Sequence, residues 1–197
     1  MSAERRVVVG VTGASGVIYA KRLIELLLKL DYEVLLVQSE AGRRVVLEEL
    51  GEKNPWQSEG HPKFREFSAR DYGAPYCSGT FRLHGMAIVP ATMGTVGSVA
   101  SGVSANGLHR AADVCLKERR PLVVVPRETP FSTIHLENLL RLAQAGAIVL
   151  PPSPAFYQKP KTLEDLVDFV VSRVLDALSI DHSLVPRWKE TPDGGIA

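Results

Sequence analysis

Several short apolar runs in this chain end in residues that can hold an anion or move a proton. Thr12-Gly13-Ala14-Ser15-Gly16 follows the run Val7-Val8-Val9-Gly10-Val11. Its glycines permit tight backbone, Ser15 offers a hydroxyl, and the helix that opens after it presents N–H groups and a positive dipole end to an anion. Ser39 follows Glu33 to Gln38, and Pro90-Ala91-Thr92-Met93-Gly94-Thr95 closes a third run with small and hydroxyl residues. Each of these has two readings, a helix cap that needs no ligand or a contact to a phosphate or flavin. Arg127-Glu128, delivered at the end of Leu122 to Pro126, is harder to read as plain surface. A guanidinium there suits a phosphate or an electron-rich ring oxygen, and a carboxylate can shuttle a proton. The GASG turn is not GxGxxG and lacks the P-loop lysine, so by itself it identifies no nucleotide site.

Further along, Arg110 and Lys117 stand seven residues apart and share one helix face, either a solvated basic face or a cationic site. Tyr157 lies in the proline-rich stretch PPSPAFYQKP, stiff enough to hold its ring against a ligand or against the core. Arg173 sits beside the apolar stripe of the last helix, where it serves a salt bridge or a ligand. Other features call for no chemistry. Glu164-Asp165-Leu166-Val167-Asp168 reads as the wet face of an amphipathic helix, His135 as packing or a cap, and Cys115 as core. The five histidines show neither HxH nor HExxH spacing, and no metal site is expected.

The elements that must carry these residues alternate. Strands are expected at Val7 to Val11, Glu33 to Gln38, Met86 to Pro90, Leu122 to Pro126 and Ala147 to Leu150. Helices are expected at Val17 to Leu30, Gly42 to Leu50, Gly94 to Ser101, Leu108 to Glu118, Ile134 to Ala143 and Leu163 to Leu178. Residues 51–85 are polar, rich in Gly and Pro, and read as an excursion with room for a short strand. The pattern predicts a three-layer, Rossmann-like (flavodoxin-like) parallel sheet with helices on both faces, one domain over residues 1–188 and a mobile tail over 189–197. In such sheets ligands bind beyond the carboxyl ends of the strands, where the residues above fall.

Composition sets the boundaries. With 197 residues, 45% hydrophobic and 23% charged, the chain can build one ordinary core. A net charge of +1 gives no reason to expect nucleic acid or an anionic membrane as partner. Cys77 and Cys115 form no CxxC pair, the first residues lack a signal-peptide pattern, and no apolar run approaches a membrane span. A reducing, cytoplasmic setting is expected.

TGASG at Thr12 to Gly16, Ser39, and above all the block RAADVCLKERRPLVVVPRETPFSTIHLE from Arg110 to Glu137 resemble the flavin prenyltransferases of the UbiX/Pad type. PPSPAFYQKP, the helix ending in Arg173 and Pro186-Arg187-Trp188 extend the resemblance over nearly the whole chain. The resemblance implies transfer of a dimethylallyl group from dimethylallyl monophosphate to N5 and C6 of reduced FMN, without a metal. It implies that the prenylated FMN serves a UbiD-type decarboxylase, and that the chain forms a homo-oligomer with sites shared between subunits. By position, Gly13, Ala14, Ser15, Ser39, Thr92, Met93, Gly94, Thr95 and Arg127 would contact FMN. Arg110, Lys117, Tyr157 and Arg173 would meet the prenyl phosphate, and Ser15, Glu49, Lys117, Glu128 and Trp188 would serve catalysis, Trp188 as an aromatic wall or lid. One stretch departs: PATMGT stands where the family commonly has a Cys-Ser pair after the proline, which puts Ala91 and Met93 beside the expected flavin pocket.

Two rival readings share the fold. A cysteine-type FMN-dependent decarboxylase would need a PxMNxxMW segment and a histidine near the first helix, and residues 17–30 contain no His. An FMN carrier or decarboxylase accessory subunit would have no use for Lys117, Glu128, Tyr157 and Arg173 together.

Overall fold

The computed structural model describes residues 5–52, 55–56 and 60–187. The strands β1 (Arg6–Val11), β2 (Glu33–Gln38), β3 (Phe64–Ser68), β4 (Gly85–Ala91), β5 (Leu122–Pro126) and β6 (Ile148–Val149) form a six-stranded sheet in the order β3-β2-β1-β4-β5-β6. Every pairing is parallel. The helices are α1 (Val17–Lys29), α2 (Glu40–Leu50), α3 (Met93–Ala100), α4 (Gly107–Lys117), α5 (Thr133–Gln144) and α6 (Leu163–Ala177), with a 3₁₀ turn at Pro75–Cys77. Without β3 the order is the flavodoxin-like one, and the direction of winding switches between β1 and β4.

The central strands form because their β-branched residues are covered on both sides, so the run of apolar residues is continuous rather than alternating. Val7, Val9 and Val11 pack under α1 and α6, whereas Val8 points to the layer of α3 and α4. The same division continues in β2, with Val34 and Leu36 on one side and Leu35 and Val37 on the other. In α1 the buried positions Val17, Ala20, Leu23, Ile24 and Leu27 recur at helical spacing and cover the sheet.

Residues 51–85 hold more order than their composition indicates. β3 pairs with β2 and extends the sheet, although in it only Phe64 and Phe67 are sheltered. A short edge strand with exposed charges is what a sheet rim tolerates. The expected helix limits shift toward their caps: α2 starts at Glu40 because Ser39 Oγ accepts the Gly42 amide, and α3 at Met93 because Thr92 accepts the Thr95 amide. β6 spans only Ile148–Val149, shorter than the run Ala147 to Leu150. Trp188 and the expected tail lie outside the described residues. Among the described residues no helix is long and apolar enough to cross a membrane.

α6, which carries Arg173, starts in a reciprocal cap: Thr162 Oγ1 accepts the Asp165 amide at 3.1 Å, and Asp165 Oδ2 accepts the amides of Lys161 at 2.7 Å and Thr162 at 2.9 Å. Those backbone donors, Lys161 first, hold the Asp165 carboxyl below its ordinary range. A lowered folded value means that the stabilisation is present above the unfolded value of about 4 and is lost as the pH falls through the folded one. Asp165→Asn is therefore expected to lower the urea midpoint at pH 7, with the gap to the unmodified protein closing in acid. Packing gives a second expectation. A Cβ on Gly42 would stand 2.5 Å from the Val11 carbonyl oxygen, a backbone atom that cannot swing aside. Gly42→Ala is expected to cost about 1–3 kcal/mol, read as a lower urea midpoint at unchanged slope.

Candidate active site

The loops after β1, β2, β4 and β5 are tied to one another at the carboxyl edge of the sheet. The Thr12 hydroxyl donates to the Pro90 carbonyl at 2.8 Å and accepts the Thr92 amide at 2.8 Å. The Ser39 amide donates to Val11 O at 3.0 Å, and the Arg127 amide to Ala91 O at 3.1 Å. These bonds bring Gly13, Ala14, Ser15, Ser39, Thr92, Met93, Gly94, Thr95, Arg127 and Glu128 to one edge, at the point where the winding reverses.

The hydroxyls there keep bonding capacity for a ligand. Ser39 Oγ accepts the Gly42 amide at 2.9 Å, which leaves its proton to donate. Thr92 Oγ1 accepts the Thr95 amide at 3.2 Å and donates to Thr95 Oγ1 at 3.0 Å, which leaves the Thr95 proton in the same position. First-turn amides of α2 and α3 lack intrahelical acceptors and add donors for an anion. Space exists as well: a Cβ on Gly94 would find its nearest neighbour, Thr92 Oγ1, at 3.9 Å. Gly13 is different, since a Cβ there would lie 2.5 Å from that of Ala41, so the loops after β1 and β2 close on each other only with glycine. Together these features fit a flat, phosphate-bearing group such as FMN. Thr12, buried and central to this arrangement, carries no obvious signal in the sequence beyond a hydroxyl directly after a strand.

The N-terminus of α1 corrects one expectation. Its leading amides are not free: the Glu49 carboxylate, reaching across from α2, accepts Gly16 N–H at 3.0 Å and Val17 N–H at 2.9 Å. The anion at this helix end is a side chain, next to the exposed hydroxyl of Ser15. Ala91 and Met93, the departures from the family pattern, are both buried in the core layer of α3 and α4 together with Leu108 and Cys115. Burial raises the Cys115 thiol to about 12.

At the end of β5, Glu128 is half-buried and accepts the Thr129 amide at 3.1 Å, while Arg127 is exposed. The remaining expected residues lie elsewhere in the same chain. Arg173 lines a cleft of about 540 Å³ between β6 and α6, with Leu150, Pro151, Phe169 and Asp176. Tyr157 meets Phe169 edge to face at 6.3 Å, which brings it to that cleft. Arg110, on α4, donates to the Cys77 carbonyl at 3.2 Å and to Asp113 at 2.6 Å. Lys117 ends α4, pairs with Glu118 and faces Gly79 just before the chain enters β5, so it stands at the amino edge of the sheet, opposite the strand-end loops. Within one chain Lys117 and the strand-end loops are not brought together.

The features set aside in the sequence do have structural work. His135 completes a capping box with Ser132 at the start of α5. Asp168 is not simply solvated, because both its oxygens accept from Arg22 of α1, at 2.6 and 2.9 Å. Among the described residues no cluster of His, Cys, Asp or Glu is arranged to hold a metal ion.

The Flavoprotein family model matches residues 1–175. A curated relative from Halalkalibacterium halodurans, "Flavin prenyltransferase UbiX", is 47% identical over 195 residues, covering 94% of both chains. Among solved structures, AnUbiX (PadA1) in complex with FMN and dimethylallyl pyrophosphate superposes with a TM-score of 0.88 at 39% identity, over 94% of this chain and 97% of that one. A dodecameric FMN-dependent UbiX-like decarboxylase from Escherichia coli O157:H7 gives 0.87 at 38%, over 93% and 98%. With the strand-end cradle of hydroxyls, amides, Arg127 and Glu128, these likenesses establish that the chain belongs to the flavin prenyltransferases of the flavoprotein family.

Proposed function

We propose that this enzyme joins a dimethylallyl group from dimethylallyl monophosphate to N5 and C6 of reduced FMN, and that the product serves a UbiD-type decarboxylase in the cytoplasm. The observation that carries the reading is the convergence of Ser15, Ser39, Thr92, Thr95, Arg127 and Glu128 on the switch point of the sheet. The FMN complex of a relative 39% identical supports it. Reduced FMN, when bound, supplies the two nucleophilic ring atoms.

The chain's own groups divide the work. Ser39, Thr92, Thr95 and the open first-turn amides hold the flavin phosphate, with Gly13, Ala14, Met93 and Gly94 shaping the backbone around it. Arg127 sets the guanidinium against the flavin. Tyr157, Arg173, Lys117 and Arg110 hold the donor phosphate as negative charge grows on the leaving oxygen, which calls for cationic donors already in place. Ser15 donates its hydroxyl beside that phosphate. Glu128 accepts protons displaced from the flavin as carbon bonds form, and Glu49 holds the α1 end rigid next to them. A dry pocket with aromatic walls favours the carbocation-like allyl group, a role for Tyr157 and Trp188.

Because Lys117 lies at the opposite edge of its own sheet, the reading includes a homo-oligomer in which one subunit's Lys117 completes another's site. The apolar residues Ile134, Leu136 and Leu140, exposed along α5, supply surface for such contacts.

Anaerobic incubation with reduced FMN and dimethylallyl monophosphate is expected to raise the flavin mass by one C5H8 unit. Glu128→Gln and Arg173→Ala are each expected to lower the rate at least ~100-fold, in the range of a lost acid–base or charge-stabilising group. Flavin bound but unchanged in mass, with donor and reduction verified, would favour the carrier reading. Sharing is tested by co-expressing Arg127→Ala and Lys117→Ala chains, each inactive alone. Random mixing in a symmetric assembly is expected to restore about a quarter of the sites, whereas a site built from one chain gives no recovery.

A further inference from the structure

The lower half of α6 carries a charge cluster whose centre neither the strand-end cradle nor the sequence motifs account for. Its centre is Asp176, whose side chain is 25% exposed. Arg173 Nη1 donates to Asp176 Oδ2 at 2.6 Å, while His182 Nε2 at 3.2 Å and Arg187 Nη2 at 3.6 Å approach Oδ1. The His182 side chain is 6% exposed, and its Nδ1 accepts the Leu184 amide at 3.2 Å. With Nδ1 accepting, the proton sits on Nε2 and is donated to Asp176.

The cluster joins three parts of the chain. Arg173 belongs to the wall of the cleft between β6 and α6. His182 and Arg187 belong to the segment that leaves α6, and Leu184 of that segment packs on the core. The loop that carries Tyr157 holds the same segment through Gln158 Nε2, which donates to the Pro186 carbonyl at 3.3 Å. A guanidinium has five N–H donors in a rigid fork, so an Arg173 anchored through Nη1 still presents donors to a phosphate.

We propose that Asp176 is a positioning residue for the prenyl donor: it fixes the Arg173 guanidinium in the cleft and, through His182 and Arg187, binds residues 181–187 alongside it. This rests on the reading that Arg173 receives the donor phosphate. Two effects of removing the carboxylate oppose each other, and that makes the role decidable. Charge alone predicts tighter donor binding, because a negative group near a dianion is lost. Positioning predicts weaker binding, because Arg173 and the segment lose their common anchor.

The test compares the full-length protein with Asp176→Asn and His182→Phe, measuring donor KM and kcat under anaerobic turnover with saturating reduced FMN. Limited trypsin cleavage after Arg187 is followed in parallel. For Asp176→Asn the expected result is a donor KM about tenfold higher, a kcat within about twofold, FMN affinity unchanged, and faster cleavage. His182→Phe, which keeps the Arg173–Asp176 contact, is expected to speed cleavage with a KM rise of about two- to threefold. A KM unchanged or lowered in Asp176→Asn overturns the proposal, whatever the cleavage rate. Should Asp176→Asn not fold, His182→Phe decides, and a KM equal to that of the unmodified protein overturns it. If the unmodified protein transfers no prenyl group, the functional reading fails and this proposal falls with it. Turnover in the unmodified protein with unaltered variants removes the positioning role alone.

Discussion

The Thr12 hydroxyl is the contact on which the strand-end geometry depends. It lies between two parallel strands whose following chains diverge to opposite layers, and it bonds both sides of the gap, as donor to Pro90 O and as acceptor from Thr92 N–H. A residue 2% exposed must have its polar side-chain atom satisfied, so the hydroxyl is confined to this geometry by the cost of leaving it unpaired. Once β1 and β4 are fixed in this way, the first turn of α3 takes its place, and the Arg127 amide bonded to Ala91 O brings the end of β5 into line. Ser39, tied by its amide to Val11 O, does the same for β2.

That frame explains which parts of the molecule can be read from sequence. The central strands are legible because burial on both faces demands unbroken β-branched runs, and Val7 to Val11 or Leu122 to Pro126 permit little else. β3 is not legible: FREFS shelters only Phe64 and Phe67, one on each face, without the alternation of a half-buried strand, and its place follows from pairing with β2 rather than from its own pattern. The strand-end residues are legible because an open parallel sheet sends its ligand contacts to one edge. Glu49 is not, since nothing in the spacing of an α2 carboxylate shows that it reaches across to the amides of Gly16 and Val17. The same holds for Asp168, whose partner Arg22 lies 146 residues away. Long-range ion pairs are set by packing between helices, and local periodicity is silent about them.

The expected donor residues show a further limit of sequence reading. Arg110 and Lys117 share a helix face, and that spacing alone fits either a solvated basic face or one cationic site. In the structure Arg110 turns to Cys77 and Asp113, while Lys117 ends the helix beside Glu118. Seven helical residues span about 10 Å, enough for one to lie near the carboxyl edge and the other near the amino edge. Residues close in sequence thus face different neighbours, and in the proposed shared site a second subunit is what reunites them.

Electrostatics accounts for how a chain of net charge +1 is compatible with the anionic donor proposed for it. All three cations expected at the donor phosphate have an acidic companion close by in sequence: Asp113 for Arg110, Glu118 for Lys117 and Asp176 for Arg173. Exposed pairs of this kind are weak, so they restrain the side chain without consuming its capacity for a stronger anion. A phosphate dianion brings twice the charge of a carboxylate and several acceptor oxygens, and guanidinium and ammonium groups have donors to spare for it. The companions therefore keep the surface near neutral and the cations in place, and the capacity for phosphate resides in geometry rather than in bulk composition. An average charge balance and the proposed phosphate site are compatible for that reason.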